Sequence, residues 1–169
     1  MNNDIRSILY AADLSEGCED VLAYAIDMAN RLGARLQVLT VIPEQREKSL
    51  VEVDSYVPQD ALDRYHEARA QRVKAHIEAQ VAAFYAVRAN KAPARPIAEI
   101  IVQEGDDVAQ LILEEAESGP ADLILMASRG EGALVGLLFG SVVQEVTRKS
   151  RVPLLLVPVR GSVPAEPQP

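Results

Sequence analysis

Glycines recur between residues 130 and 140, directly after the apolar run 123–127, and Gly140-Ser141 opens a segment with helical spacing. Glycine lacks a Cβ atom, so the backbone N–H groups of such a segment can approach an anion closely. The N-terminus of the following helix adds the positive end of its dipole. The spacing therefore predicts a phosphate-binding loop. A turn that only connects a strand to a helix has the same composition and stays the alternative.

Asp13 and Ser15 form a second polar group at the end of an apolar run, the first of the chain. Their side-chain oxygens are able to accept hydrogen bonds from the first N–H groups of a helix that begins near Cys18. Capping alone is therefore the alternative to a role in ligand binding. The same alternative holds for Ser141, because it also begins a helix.

The chain lacks the residue patterns that drive phosphoryl or acyl transfer. It contains no Gly-x-x-x-x-Gly-Lys-Ser/Thr sequence, and no serine nucleophile can be assembled with a histidine and an acid. His66 and His76 lie about 80° apart around one predicted helix, so they cannot share a metal ion. We therefore expect binding rather than turnover.

Strands and helices alternate along the chain to position these residues. Short, mostly apolar runs predict five strands, and apolar residues at i, i+3, i+4 and i+7 predict four helices. Gly33 is expected to end the first helix, and Gly105-Asp106-Asp107 to form a turn and the N-cap of the third. The expected strands are 5–12, 36–42, 97–102, 123–127 and the stretch between Val152 and Val159, and the helices begin at Cys18, Ala61, Val108 and Ser141.

This order predicts an α/β fold, a doubly wound five-stranded parallel sheet with helices on both faces. Pro153 and Pro158 place the fifth strand at the sheet margin, because proline cannot donate to a neighbour. Ligands bind such sheets beyond the carboxyl ends of the strands, where the winding reverses. If the reversal lies between strands one and four, both polar segments border one crevice. The charged stretch 44–60 is expected to be a solvated connection, with a lid over the site as the alternative.

Composition narrows the class of protein. The 169 residues are 49% hydrophobic and 25% charged, which is typical of a globular domain. The net charge of −8 and the scattered basic residues argue against broad binding of nucleic acids or anionic membranes. Cys18 is the single cysteine and is expected in the core of a protein from a reducing compartment, the cytoplasm by default. We expect one domain over residues 1–160 and a disordered tail over 161–169.

Residues 4–159 resemble the universal stress protein family, in its nucleotide-binding branch. Residues 8–16 are similar to the first strand of the family with its aspartate, and residues 36–43 are similar to its second strand. Residues 151–158 are typical of its closing segment. The family spacing of glycine, two residues, glycine, nine residues and glycine-serine falls on Ala127, Gly130, Gly140 and Ser141.

The resemblance implies an adenine nucleotide alpha hydrolase-like fold with strand order 3-2-1-4-5. It also implies a cytoplasmic stress regulator that binds ATP or AMP and forms homodimers through its last strand. Asp13 would lie near the ribose or the metal-phosphate end, and Val41 would offer backbone groups to adenine. A Mg²⁺ ion would be held mainly by the phosphates, with or without Asp13. The implied nucleotide-binding residues are Ala11, Ala12, Asp13, Val41, Met126, Ala127, Ser128, Arg129, Gly130, Gly140, Ser141 and Val142.

Two positions depart from the family pattern: Ala127 replaces the first glycine of the motif, and Ala11 replaces a proline. The Ala127 methyl group would crowd a ribose or phosphate that came close. It would be harmless if only the carbonyl were used, because an extended residue needs no positive φ. Two other functions stay open. One is a dimeric scaffold of the same fold without nucleotide binding, and the other is a weak ATPase.

Overall fold

The computed structural model describes residues 4–15, 17–43, 58–87, 97–119, 121–128 and 139–159. These residues form one parallel sheet with the strand order β3-β2-β1-β4-β5, which confirms the predicted class and order. The elements are β1 (Ser7–Ala12), α1 (Cys18–Leu32), β2 (Arg35–Ile42), α2 (Gln59–Val87), β3 (Ile97–Glu104), α3 (Val108–Ser118), β4 (Leu123–Ala127), α4 (Ser141–Lys149) and β5 (Leu154–Val157).

The sheet has an apolar core on each side because the strands are apolar at odd and even positions alike. Along β1, Ile8 and Tyr10 pack on the side covered by α1 and α2, which we call the α1/α2 face. Leu9 and Ala11 pack on the opposite side with α3 and α4, the α3/α4 face. The two cores fix the helices over the sheet and leave the carboxyl ends of the strands as the open edge.

Several element boundaries differ from the sequence prediction. Helix α2 begins at Gln59, two residues before the expected start, and β3 continues to Glu104. Strand β5 is shorter than expected because its pairing lies between Pro153 and Pro158, neither of which has an N–H group to donate. Its position at the sheet margin is confirmed.

The ends of α1, α3 and α4 that the sequence predicts agree with the structure, except for the N-cap of α1. Gly33 ends α1 with a φ of 65°, and the Asp107 side chain accepts a hydrogen bond from the Gln110 N–H at 3.0 Å. The N-cap position of α1 is not Asp13 or Ser15, as expected, but Gly17, whose φ of 87° brings the chain into the helix. Helix α4 begins at Ser141, as predicted, and its N-cap residue is Gly140, so the alternative of a capping role for Ser141 is wrong.

Three predicted segments fall wholly or largely on residues outside the described ranges. They are most of the charged connection (44–57), most of the glycine-rich segment (129–138) and the C-terminal tail (160–169). The expectations for them, and the division into a domain and a tail, stay predictions.

Gly17 is the position where a side chain should cost the most stability. A Cβ atom there would lie 2.4 Å from Val159 Cγ1, whereas a Cβ atom at Gly33 would meet nothing within 4 Å. Both glycines have a positive φ, which costs other residues roughly 1–2 kcal/mol. We expect Gly33→Ala to lower the free energy of unfolding by that amount, and Gly17→Ala by roughly 1–3 kcal/mol more. Urea denaturation of both variants measures the difference.

The control for this comparison is Val159→Ala, alone and combined with Gly17→Ala. Removing the valine methyl groups should recover the extra loss of the Gly17 variant in a double-mutant cycle. Equal losses for the two alanine variants would contradict a tight approach of residue 159 to the start of α1.

Candidate functional site

A cavity of about 420 Å³ lies at the carboxyl ends of β1, β2 and β4, where the direction of winding reverses. This volume is in the range of small-molecule sites. Helices α2, α3 and α4 complete its walls. It is lined by Ala11, Ala12, Asp13, Leu14, Leu39, Thr40, Val41, Ile42, Pro43, Arg69, Val73, Val108, Ile112, Met126, Ala127, Gly140, Ser141, Val142 and Val143.

The structure brings nine of the twelve predicted site residues to this cavity. The Ser128 N–H donates instead to the Val157 carbonyl at 2.9 Å, which extends the pairing of β4 with β5. Arg129 and Gly130 lie outside the described residues. The nine residues that line the cavity are Ala11, Ala12, Asp13, Val41, Met126, Ala127, Gly140, Ser141 and Val142.

The N-terminus of α4 opens onto the cavity, and its first backbone N–H groups have no hydrogen-bond partner within the described ranges. Gly140 is its extended N-cap residue and has no side chain to cap the helix. The Gln144 N–H donates to the Gly140 carbonyl at 3.0 Å, so the backbone N–H groups of residues 141–143 precede the helical hydrogen-bond ladder. With the helix dipole, these groups form an anion-binding end.

Ala127 has an ordinary extended conformation at the end of β4. It pairs with Val157, is 8% exposed and belongs to the apolar core on the α1/α2 face. The positive φ angles among the described glycines are at Gly17 and Gly33. The backbone at position 127 therefore does not need glycine, and the methyl group contributes to the core.

Ten lining residues were missed by the sequence interpretation. Most of them lie within two positions of a predicted residue in the sequence. A prediction that included whole strand ends, and not only the motif positions, would have found most of these. Arg69 and Val73 had a different signal: they belong to the inner stripe of α2, and an arginine within such a stripe indicates a polar space beneath the helix. The other missed residues are Leu14, Leu39, Thr40, Ile42, Pro43, Val108, Ile112 and Val143.

The family model described as the universal stress protein family matches residues 4–158. The chain belongs to this family. A universal stress protein from Thermus aquaticus is 31% identical over 155 residues, which cover 90% of this chain and 98% of the relative. A shorter match, 41% identical over 59 residues, relates 35% of this chain to 35% of the stress response protein NhaX of Bacillus subtilis.

Solved structures share the fold of this universal stress protein. The hypothetical protein MJ0577 is 26% identical, with a TM-score of 0.64 over 92% of this chain and 96% of that one. A universal stress protein in complex with cAMP is 20% identical, with a TM-score of 0.56 over 93% and 99% of the two chains. One from Archaeoglobus fulgidus in complex with dAMP is 17% identical, with a TM-score of 0.50 over 90% and 98%.

Opposite charges line the cavity of this family member on different elements. Asp13 follows β1, and Arg69 projects from α2 on the α1/α2 face. Near Arg69, His66 Nδ1 and Glu104 Oε2 form a hydrogen bond that ties α2 to the carboxyl end of β3. Within the described ranges, no group of three His, Cys, Asp or Glu residues is arranged to hold a metal ion. No described helix is long and apolar enough to cross a membrane.

The Tyr10 hydroxyl and the Cys18 thiol are both held in their protonated forms. Burial raises the pKa of Tyr10, with smaller contributions from the charges of Cys18 and Asp13. Burial likewise raises the pKa of the Cys18 thiol, against a hydrogen bond from Gln80 that lowers it. The Tyr10 hydroxyl donates to the Cys18 carbonyl at 3.3 Å, so it joins β1 to the start of α1.

The raised pKa of Tyr10 predicts a loss of stability at alkaline pH. The unfolded chain releases this proton near pH 10, whereas the folded chain keeps it, so the contribution is intact below pH 10 and is lost as the pH rises toward the folded pKa. We expect the free energy of unfolding of wild type, relative to Tyr10→Phe, to fall above pH 10 by up to about 1.4 kcal/mol per pH unit. Urea denaturation between pH 8 and pH 11 measures this difference.

The phenylalanine variant also loses the hydrogen bond to Cys18, but that loss is a constant offset below pH 9. A difference between wild type and variant that stays constant up to pH 11 would contradict the shift.

Proposed function

We propose that this universal stress protein binds an adenine nucleotide, ATP or AMP, in the cavity and acts as a nucleotide-responsive stress regulator. The observation that carries the proposal is the open N-terminus of α4, which lines the same cavity as Asp13 and Val41. An anion-binding end and an apolar strand edge meet in one space, and a nucleotide combines a phosphate with a largely apolar ring.

In the proposed complex the phosphates lie at the start of α4. The N–H groups of Ser141 and Val142 and the Ser141 hydroxyl would bind them, together with Gly140, Gly130 and Arg129 from the glycine-rich segment. The nucleoside would extend across β1 toward β2, past Asp13, with its base at the Val41 backbone. The remaining contacts would come from the neighbouring strand ends, at Ala11, Ala12, Met126, Ala127 and Ser128.

The relatives support the ligand class. One solved universal stress protein is in complex with cAMP and another with dAMP, so both bind an adenine nucleotide on this fold. The present chain offers the same classes of group in its cavity: backbone donors for a phosphate, a carboxylate for a sugar or a metal ion, and apolar walls for a base.

The donor set fits a Mg²⁺ ion only as a companion of the nucleotide. Asp13 is the carboxylate among the described lining residues. A Mg²⁺ ion needs about six oxygen ligands, so phosphate oxygens and waters would supply most of them. Asp13 would complete the set when ATP is bound.

We further propose that the protein acts in the cytoplasm as a homodimer joined through residues 152–159. All four residues of β5 are half-buried at the sheet margin, which leaves this edge available for pairing with a second copy. The Ser128 N–H donates to the Val157 carbonyl at 2.9 Å, which fixes β5 against β4 at this margin.

Gly140→Asp tests the phosphate position, with Gly140→Asn as its matched control. Both residues are good N-caps and suit the extended conformation of residue 140, with φ −68° and ψ 161°, so both should preserve or raise the melting temperature without ligand. Either side chain can occupy an N–H group of the first turn, but only the aspartate charge would also repel phosphate. We therefore expect the Kd for Mg-ATP to be at least about tenfold higher for the aspartate variant than for the asparagine variant. Isothermal titration calorimetry measures both values.

Equal affinities of the aspartate and asparagine variants would place the phosphates elsewhere. Wild-type protein that shows neither calorimetric binding of ATP or AMP nor a rise in melting temperature with either would remove the proposed function.

Ala127 is the observation that favours the second candidate, a scaffold that has lost its nucleotide site. If the alanine methyl blocked the site, Ala127→Gly would create nucleotide binding in a protein that otherwise lacks it. Because this methyl is packed in the core, we expect the opposite: an unchanged Kd for AMP and a free energy of unfolding lower by about 1 kcal/mol. Calorimetry and urea denaturation of the variant decide between the two functions.

A gain in affinity of tenfold or more on Ala127→Gly would support the scaffold. Ala11→Gly is the matched control, because it removes a buried methyl group on the opposite face of the sheet at the same edge.

A further inference from the structure

Helix α2 packs on the core with its C-terminal part, whereas its N-terminal part reaches the cavity. Its buried residues are Ile77 and Tyr85, and the side chains that pack on the core of the α1/α2 face begin at Val73. Residues 59–72 are half-buried or exposed throughout. A segment with few buried apolar contacts is displaced at a low cost in free energy. The position of residues 59–72 over the sheet therefore depends on polar contacts.

A hydrogen bond between two side chains connects this N-terminal part of α2 to the sheet. It joins His66 Nδ1 to Glu104 Oε2, across 38 positions of the sequence. The second carboxylate oxygen of Glu104, Oε1, is buried and has no hydrogen-bond partner among the described residues. Within the described ranges, the Glu104 side chain is therefore paired through His66.

Both ends of this hydrogen bond lie next to residues that line the cavity. On the sheet, Glu104 is level with Ile42 of β2, and the Gly105 N–H donates to the Ile42 carbonyl at 3.1 Å. On the helix, Arg69 follows His66 by three residues, about 4.5 Å along the axis, and so shares its face. Ile42 and Arg69 both line the cavity. The hydrogen bond thus fixes the separation between a strand end and the helix that form two walls of one space.

We propose that His66 and Glu104 are positioning residues of the nucleotide site, which hold the α2 wall where the ligand needs it. The inference rests on the proposed function and adds to it two residues outside the cavity lining. Without the hydrogen bond the wall occupies a wider range of positions, because the core does not hold residues 59–72. Binding then selects the fitting position, and the apparent affinity falls with the fraction of molecules that have it.

His66→Leu and Glu104→Ala break the hydrogen bond from opposite sides. The two side chains are 35% and 22% exposed, so neither substitution removes a core residue. In the ligand-free protein we expect amide hydrogen exchange of residues 62–72 to accelerate about 2- to 12-fold, and that of residues 77–85 to stay unchanged. The Kd for AMP should rise at least about twofold. The double variant should bind no more weakly than the weaker single variant, because both remove one interaction.

Two further variants separate the hydrogen bond from other effects on the helix. His66→Asn is the conservative variant, since the asparagine amide is able to donate to the same carboxylate. Arg64→Gln is the matched control: it removes the ion pair with Asp60, 2.9 Å long, which lies within the same part of α2 and does not reach the sheet. Both variants should stay within about twofold of wild type in exchange and in Kd.

The full-length protein is studied by hydrogen exchange with mass spectrometry and by calorimetric titration with AMP and with Mg-ATP. Unchanged exchange of residues 62–72 in both His66→Leu and Glu104→Ala would overturn the positioning role. Faster exchange with an unchanged Kd would overturn it as well, because the wall would then not affect the site. Equal acceleration of residues 62–72 and 77–85 would show a general loss of stability instead. Wild type that binds neither nucleotide would overturn the proposed function, a result that is read without any variant.

Discussion

The right-handed crossover between parallel strands is the constraint on which the rest of the structure depends. The chain moves from β1 through β2 to β3 in one direction, and from β3 through β4 to β5 in the other. Because each crossover has the same hand, α1 and α2 cover one face and α3 and α4 cover the other. Helices on opposite faces diverge at the carboxyl edge between β1 and β4, so the cavity follows from the topology and needs no special loop to create it.

The two apolar cores fix the carboxyl edge of the sheet, and most of their residues also satisfy their own local preferences. The residues that do not satisfy them lie at the cavity. Fully buried residues such as Ile8, Leu9 and Ile124 satisfy both packing and strand propensity. Thr40 and the start of α4 do not follow this rule, because each keeps hydrogen-bonding groups that the described fold leaves unused. Such local conflicts with stability are expected where a protein binds something.

Sequence patterns were sufficient for the fold because strand order and helix faces depend on many residues at once. The apolar periodicity, the capping residues Gly33 and Asp107 and the edge position of β5 each agreed with the structure. Individual contacts were harder, since they depend on distant elements. Neither the left-handed Gly17 before α1 nor the arrival of Arg69 over the cavity is a local property. In the sequence Thr40 is an ordinary strand residue, and only the structure shows that its hydroxyl group is buried without a hydrogen-bond partner among the described residues.

The open end of α4 offers backbone groups to the cavity, so this part of it depends little on which side chains are present. The solved relatives considered above share the fold at identities between 17% and 26%. Helix N–H groups need no particular side chain, so their positions are constrained only where a Cβ atom would intrude. At position 127 the Cβ atom joins the apolar core, and alanine is therefore compatible with a strand end that borders the cavity. Side chains at the strand ends have no such protection, because another residue of similar volume packs as well. Substitutions there should therefore change the lining of the cavity more than substitutions within the first turn of α4.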